Sequence, residues 1–140
     1  MATELTLADR MDLHELVGRY GDAVDDRNWQ AMDQIFTEDA EFEVRGLVTM
    51  MGLNEIKRYM DEEGQHPLAH LMCNIHTEAT EEGARLYFRI VAPVAREDKS
   101  QNGYSIHFGS YYDWVVKTAA GWRVKRRIFS AKRLPVAFDK

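Results

Sequence analysis

The 140-residue chain predicts an α+β fold: a cone-shaped, curved, mixed but mainly antiparallel sheet, with three helices in the N-terminal half enclosing a pocket. Three observations carry this reading. Helix-period spacing of apolar residues is confined to the first half, two-residue alternation fills the second, and no repeat, low-complexity run or linker separates the two. One domain therefore covers residues 1–140, a length that can bury a core without disulfides or metals.

Leu13, Leu16, Val17, Tyr20 and Val24 recur at helical spacing and predict an amphipathic helix over 6–26. Thr6 is its expected N-cap, and Asp9 stands where a helix start favours negative charge. Asn28 opens a second helix with Trp29, Met32, Ile35 and Phe36 on its inner face, and Thr37–Asp39 ends it. Ala40, Phe42 and Val44 then alternate with Glu41, Glu43 and Arg45, the pattern of a half-buried strand. A short apolar bridge, Leu47–Met51, lies between two glycines. A third helix follows over 53–62, with Gly64 as its terminator and Pro67 placing 65–67 in a loop. Strands are expected over 68–80, 84–94, 104–117 and 122–134, with Glu81–Gly83 and 118–121 as turns and 96–102 as a polar loop. Gly109 is a candidate bulge or bend.

A net charge of −5 argues against a nucleic-acid binder, which needs a basic face to release phosphate counterions. The basic cluster at 125–127 sits in a strand pattern and reads as solvated. The single cysteine, Cys73, cannot close an intrachain disulfide and fits a reducing compartment. The N-terminal stretch lacks the charged-then-apolar pattern of a secretory leader, and no apolar run approaches the ~18 residues of a membrane span. The expectation is a soluble, cytoplasmic protein.

The residues able to do chemistry gather around 20–44 and at the start of the strand at 68–80. Asp25 falls at the C-terminal end of the first helix, where the dipole disfavours a carboxylate. It is either a solvated turn residue beside Asp26 or a carboxylate available to pair with a histidine. Tyr20 is either a core tyrosine or a hydroxyl aimed into the cavity as a donor. Strand alternation puts His70, Met72, Asn74 and His76 on one face of mixed polarity, either a wet surface or a polar-lined pocket. An adjacent carboxylate would fix the tautomer of His70 and make it more basic. Phe42, Met72, Asn74, Phe88 and Tyr112 are the expected lining. Arg126 shares parity with Trp122, Val124 and Ile128 and is either an inward anion clamp or a solvated residue. Metal binding finds no support: His66 and His70 have a helical spacing, but Pro67 breaks the helix between them, and no zinc, EF-hand, phosphate-loop or nucleophile-elbow motif occurs.

Three segments, LHELVGRYGDAVDDRNWQAMDQIFTEDAEFEVRG at 13–46, PLAHLMCNIHTEATEEGARLYF at 67–88 and GSYYDWVVKTAAGWRVKRRIFSAKR at 109–133, together resemble the SnoaL-like branch of the nuclear-transport-factor-2-like superfamily. That group includes scytalone dehydratase, bile-acid 7α-dehydratase, a hexachlorocyclohexane dehydrochlorinase and ketosteroid isomerase. In its eliminating members a Tyr and an Asp from the end of the first helix meet a His on the sheet. Tyr20, Asp25 and His70 stand at those places. The resemblance implies that His70 is a general base, that Asp25 orients it, and that Tyr20 donates to a developing oxyanion or departing oxygen. No cofactor is implied.

Other places depart from the group's patterns. Val44 occupies the place of the isomerase base, Val94 that of the extra His of scytalone dehydratase, and Ala92 that of the second acid of the bile-acid enzyme. These departures favour proton abstraction with a leaving group that needs little help. The expected function is a cofactor-free lyase acting on a small apolar ring compound. The alternatives are an isomerase or cyclase using the same abstraction, or a non-catalytic binding or assembly module on the same cone. The group generally pairs or forms trimers through an exposed sheet face, so a homo-oligomer is expected, with the polar segment 61–67 as a candidate gate.

Overall fold

A computed structural model describes residues 4–95 and 104–132. The expected loop at 96–102 and the end of the last expected strand lie outside them. Helix α1 (Leu7–Asp25) starts as predicted. The Thr6 hydroxyl accepts from the Asp9 amide at 3.0 Å, and the Asp9 carboxylate accepts from the Thr6 amide at 3.0 Å, a reciprocal capping box. Asp9 also accepts from Lys117 at 2.9 Å and from the Trp122 indole at 3.3 Å, so the cap fastens the helix start to the far end of the sheet. Lys117 first, then Thr6, hold the Asp9 carboxyl well below the usual carboxylate range. The helix leaves through Arg27 at φ 56°, whose guanidinium donates back to the Val24 carbonyl at 2.7 Å.

The second helix is a short 3₁₀ turn, η1 (Trp29–Gln34), and Asn28 makes no side-chain cap. Strand β1 begins at once, running Phe36–Val44, so Thr37–Asp39 lie in the strand and do not break the chain. Strand β2 (Val48–Met51) and helix α2 (Leu53–Glu62) follow. The rest is four strands: β3 (Leu71–Ala79), β4 (Gly83–Ala95), β5 (Tyr104–Thr118) and β6 (Gly121–Lys132). They form one sheet in the order β2-β1-β6-β5-β4-β3, antiparallel except where β1 runs parallel to β6. The helices cover the concave face. Among the described residues no helix is long and apolar enough to cross a membrane.

Two irregularities re-aim side chains. Trp114 pairs with Arg126 and Val115 with Val124, so Lys125 is an extra residue in β6. Inward parity switches there: Trp122 and Val124 face in before it, Arg127 and Phe129 after it. Gly109, the expected bulge, pairs regularly with Ile90 and Ala131. In β3, Cys73 pairs with Arg89 and His76 with Tyr87, leaving Asn74 and Ile75 opposite Phe88, with Asn74 at φ 53°. Met72 and Ile75 pack on the core, while Asn74 and His76 turn outward.

The core closes over a buried ion pair. Arg127, 1% exposed, donates from Nε and Nη2 to the two carboxylate oxygens of Asp113 at 2.8 and 2.7 Å. Its guanidinium lies 4.1 Å from the Tyr20 ring centroid and 4.9 Å from that of Tyr111, with Phe36, Phe42 and Phe88 slightly further out. Burial opposes the charge, but the facing Asp113 outweighs it and raises Arg127 above its ordinary range. Burial pushes Asp113 up, and Arg127 pulls it back. Both carboxylate oxygens act as acceptors, the geometry of an ionised pair.

Two stability outcomes follow from these contacts. Thr6→Ala removes the cap acceptor and should lower the denaturant-unfolding free energy by about 1 kcal/mol. Asp113→Ala strands a buried guanidinium and should cost about 3–5 kcal/mol, while the paired replacement D113L/R127M should recover most of that loss in the same unfolding assay.

Candidate active site

The concave face and the helices enclose a cavity of about 590 Å³. Its size is that of a small-ligand site. Tyr20 and Tyr111 stand at its inner end, with His70 beside them. Phe42, Val44, Met50, Ile90, Ala92, Val94 and Phe129 make its walls, and the segment from Glu63 to Pro67 closes one side.

Helix α1 sets both Tyr20 and Asp25. Tyr20 lies on the buried stripe, and Asp25 is the last helical residue. His70 sits one residue before β3, not inside it. The ladder cannot start there because the His70 amide donates to Asp25 Oδ2 at 3.0 Å. The His70 ring makes the second contact, with Nδ1 2.6 Å from Asp25 Oδ1. A carboxylate only accepts, so Nδ1 carries the proton and Nε2 is the basic nitrogen. Gly21 makes the approach possible: a Cβ there would stand 3.1 Å from His70 Cβ, closer than packed carbons sit. The Asp25 expected either in solvent or in a pair is therefore in a pair, with a histidine ring whose side chain is 5% exposed.

Burial pushes His70 below the ordinary imidazole value, and the hydrogen bond and charge of Asp25 oppose that shift. The ring is neutral and available as a base at neutral pH. Burial raises Tyr20, against the pull of Arg127, and raises Tyr111 further. Both remain phenols and can donate. The Tyr20 and His70 rings meet edge-on at 5.9 Å, and the Tyr20 and Tyr111 rings at 6.0 Å. A base nitrogen and a donor hydroxyl thus share one end of an apolar cavity.

Of the expected lining, Phe42 is in place and four residues are not. Met72 packs underneath, its methyl 3.6 Å from where a Gly21 Cβ would lie. The β3 bulge turns Asn74 to solvent. Phe88 is fully buried behind Tyr111, stacked on it at 4.8 Å. Tyr112 follows Tyr111 and so points to the outer face, where it meets the Tyr87 ring at 5.2 Å. Arg126 is also outside, over Trp114 at 4.8 Å, because the extra Lys125 hands the inward place to Arg127.

Two features escaped the reading of the sequence. The switch from inward Trp122 and Val124 to inward Phe129 signals the bulge, but Ile128 masks it. Asp113, an acid at the same parity as Tyr111 and Val115, is the signal for a buried cation. Among the described residues no cluster of His, Cys, Asp and Glu converges as a metal site.

The sequence profile of the SnoaL-like domain matches residues 5–128. The uncharacterized protein Rv2910c of Mycobacterium tuberculosis is 27% identical over 132 residues, covering 91% of this chain and 88% of the relative. A scytalone dehydratase-like protein from Novosphingobium aromaticivorans superposes with a TM-score of 0.77 at 21% identity, covering 91% of this chain and 86% of that one. The hexachlorocyclohexane dehydrochlorinase LinA-type3 from Novosphingobium barchaimii superposes with a TM-score of 0.77 at 15% identity, covering 92% and 90%. At these identities the likeness to the solved structures is one of fold. With its profile match spanning nearly the whole described chain, the protein belongs to the SnoaL-like domain family of the nuclear-transport-factor-2-like superfamily.

Proposed function

We propose that this protein is a lyase that removes a proton from a carbon next to a carbonyl and expels a group from the neighbouring carbon. The observation that carries the reading is the 2.6 Å contact between His70 Nδ1 and Asp25 Oδ1 at the inner end of the cavity. His70 Nε2 takes the proton, Asp25 holds the imidazolium that forms, and the Tyr20 phenol donates to the carbonyl oxygen as negative charge gathers there. Arg127, 4.1 Å from the Tyr20 ring, favours negative charge on that side. The apolar walls suit a small ring compound such as a phenolic, polyketide or steroid-like molecule. That a dehydrochlorinase and a scytalone dehydratase-like protein share this fold supports the reading. Val44 stands among the walls where a lone carboxylate base would act in an isomerase of this superfamily, which favours the His70–Asp25 pair as base.

The test is turnover of apolar cyclic ketones that carry a β-leaving group, read by product mass. Loss of the leaving group marks elimination, and unchanged mass marks isomerisation or cyclisation. His70→Ala and Asp25→Asn should each lower kcat/KM by roughly 10²–10⁴-fold. In the wild type the acid limb of kcat/KM should lie below the ordinary imidazole range, since protonating His70 removes the base and burial lowers its pKa. Asp25 raises that pKa, so Asp25→Asn should move the limb to still lower pH. Full turnover by His70→Ala would defeat the reading.

A further inference from the structure

His66 belongs to the segment between α2 and β3 that forms one wall of the cavity. Its Nε2 is 2.7 Å from the Met60 carbonyl oxygen. A carbonyl only accepts, so Nε2 carries a proton and Nδ1 is the nitrogen left for chemistry. The ring rests on Trp29, centroid to centroid 5.0 Å, and the Trp29 indole donates to Asp61 at 3.0 Å. Gly64 clears the seat. It ends α2 as expected, its amide donating to the Tyr59 carbonyl at 2.7 Å. A Cβ at Gly64 would come within 2.6 Å of His66 Cε1 and 2.8 Å of Nε2, so the absence of a side chain also serves the ring. Beyond Pro67, the Leu68 amide donates to the Pro93 carbonyl at 2.9 Å and fastens the segment to β4.

Four other protic groups on the cavity are less suited to releasing a proton. Burial raises Tyr20 and Tyr111. Glu63 is engaged by Arg58 at 2.7 Å, and His107 is exposed. Burial first, and His66 among smaller causes, pushes His70 down.

We propose that His66 is the general acid of the reaction and that the leaving group is therefore an oxygen that must be protonated to depart. This rests on the lyase reading above. His70 Nε2 takes the proton from carbon, the C–H electron pair becomes the new C=C bond, and the C–O bond breaks. The departing oxygen keeps the C–O bonding pair and takes the proton from Nδ1 of the His66 imidazolium, leaving as water. His66 ends neutral and His70 charged, and solvent exchange restores both. The sequence departures at Val44, Ala92 and Val94 suggested a leaving group needing little help; His66 supplies that help from a different wall.

The experiment compares a bicyclic β-hydroxyketone with its 4-nitrophenyl ether, whose leaving group departs without a proton. His66→Gln should lower kcat/KM on the hydroxyketone by about 100-fold and on the ether by less than about 3-fold. Gly64→Ala, which displaces the ring, should show the same split. Equal losses on both probes, or no loss on either, would overturn the role of His66. His70→Ala should abolish both reactions; if it spares them, or if the wild type turns over neither probe, the lyase reading fails and the acid assignment with it.

Discussion

The bidentate contact between Arg127 and Asp113 is the constraint around which the interior is arranged. A guanidinium at 1% exposure is sustained only by a facing carboxylate and by electron-rich ring faces. The chain supplies both. Asp113 comes from β5 and Arg127 from β6, and the rings come from α1, β1, β4 and β5. The pair thus locks the helix onto the sheet through Tyr20 and fixes where that phenol stands. Nη1 of Arg127 has no hydrogen-bond partner among the described residues, and the guanidinium lies against the Tyr20 and Tyr111 rings that line the cavity.

The reactive corner depends on that lock from one side and on Asp25 from the other. Asp25 grips His70 twice, at the ring and at the backbone amide, and the second grip keeps His70 out of the β ladder. A histidine held at both ring and backbone by one carboxylate is ordered before any ligand arrives. Burial weakens the base and Asp25 restores part of its strength, so the site holds an imidazole that is neutral yet still able to accept a proton.

Most of the fold was legible because most elements carry one period throughout. The stripe Leu13–Val24, the capping pair Thr6 and Asp9, and the alternation in β4 each read directly. The reading failed where a single inserted residue changes parity. Lys125 exchanges Arg126 for Arg127 as the inward cation, and the bulge at Asn74 turns that residue out of the cone. Neither insertion changes composition or average hydrophobicity, and each is visible only against the partner strand. Tyr20, Asp25 and His70 were brought to one place by resemblance, since spacing alone left each with an ordinary alternative. The resemblance could not place Phe88 and Tyr112, whose faces depend on register.

The same register decides where acid–base chemistry can be housed. Val44, Ala92 and Val94 all line the cavity, so three of the wall positions that could carry a titratable group carry hydrocarbon instead. An apolar wall raises the cost of any charge within it and strengthens each remaining dipole. Protic groups line the cavity at the α1 end, with Tyr20, Tyr111 and the His70–Asp25 pair, on the segment that carries His66, and at Tyr59 and His107. A molecule filling that space would meet the His70 imidazole and the Tyr20 phenol at one end and the His66 imidazole on a separate wall. Such a layout suits reactions in which a proton leaves one atom and arrives at another.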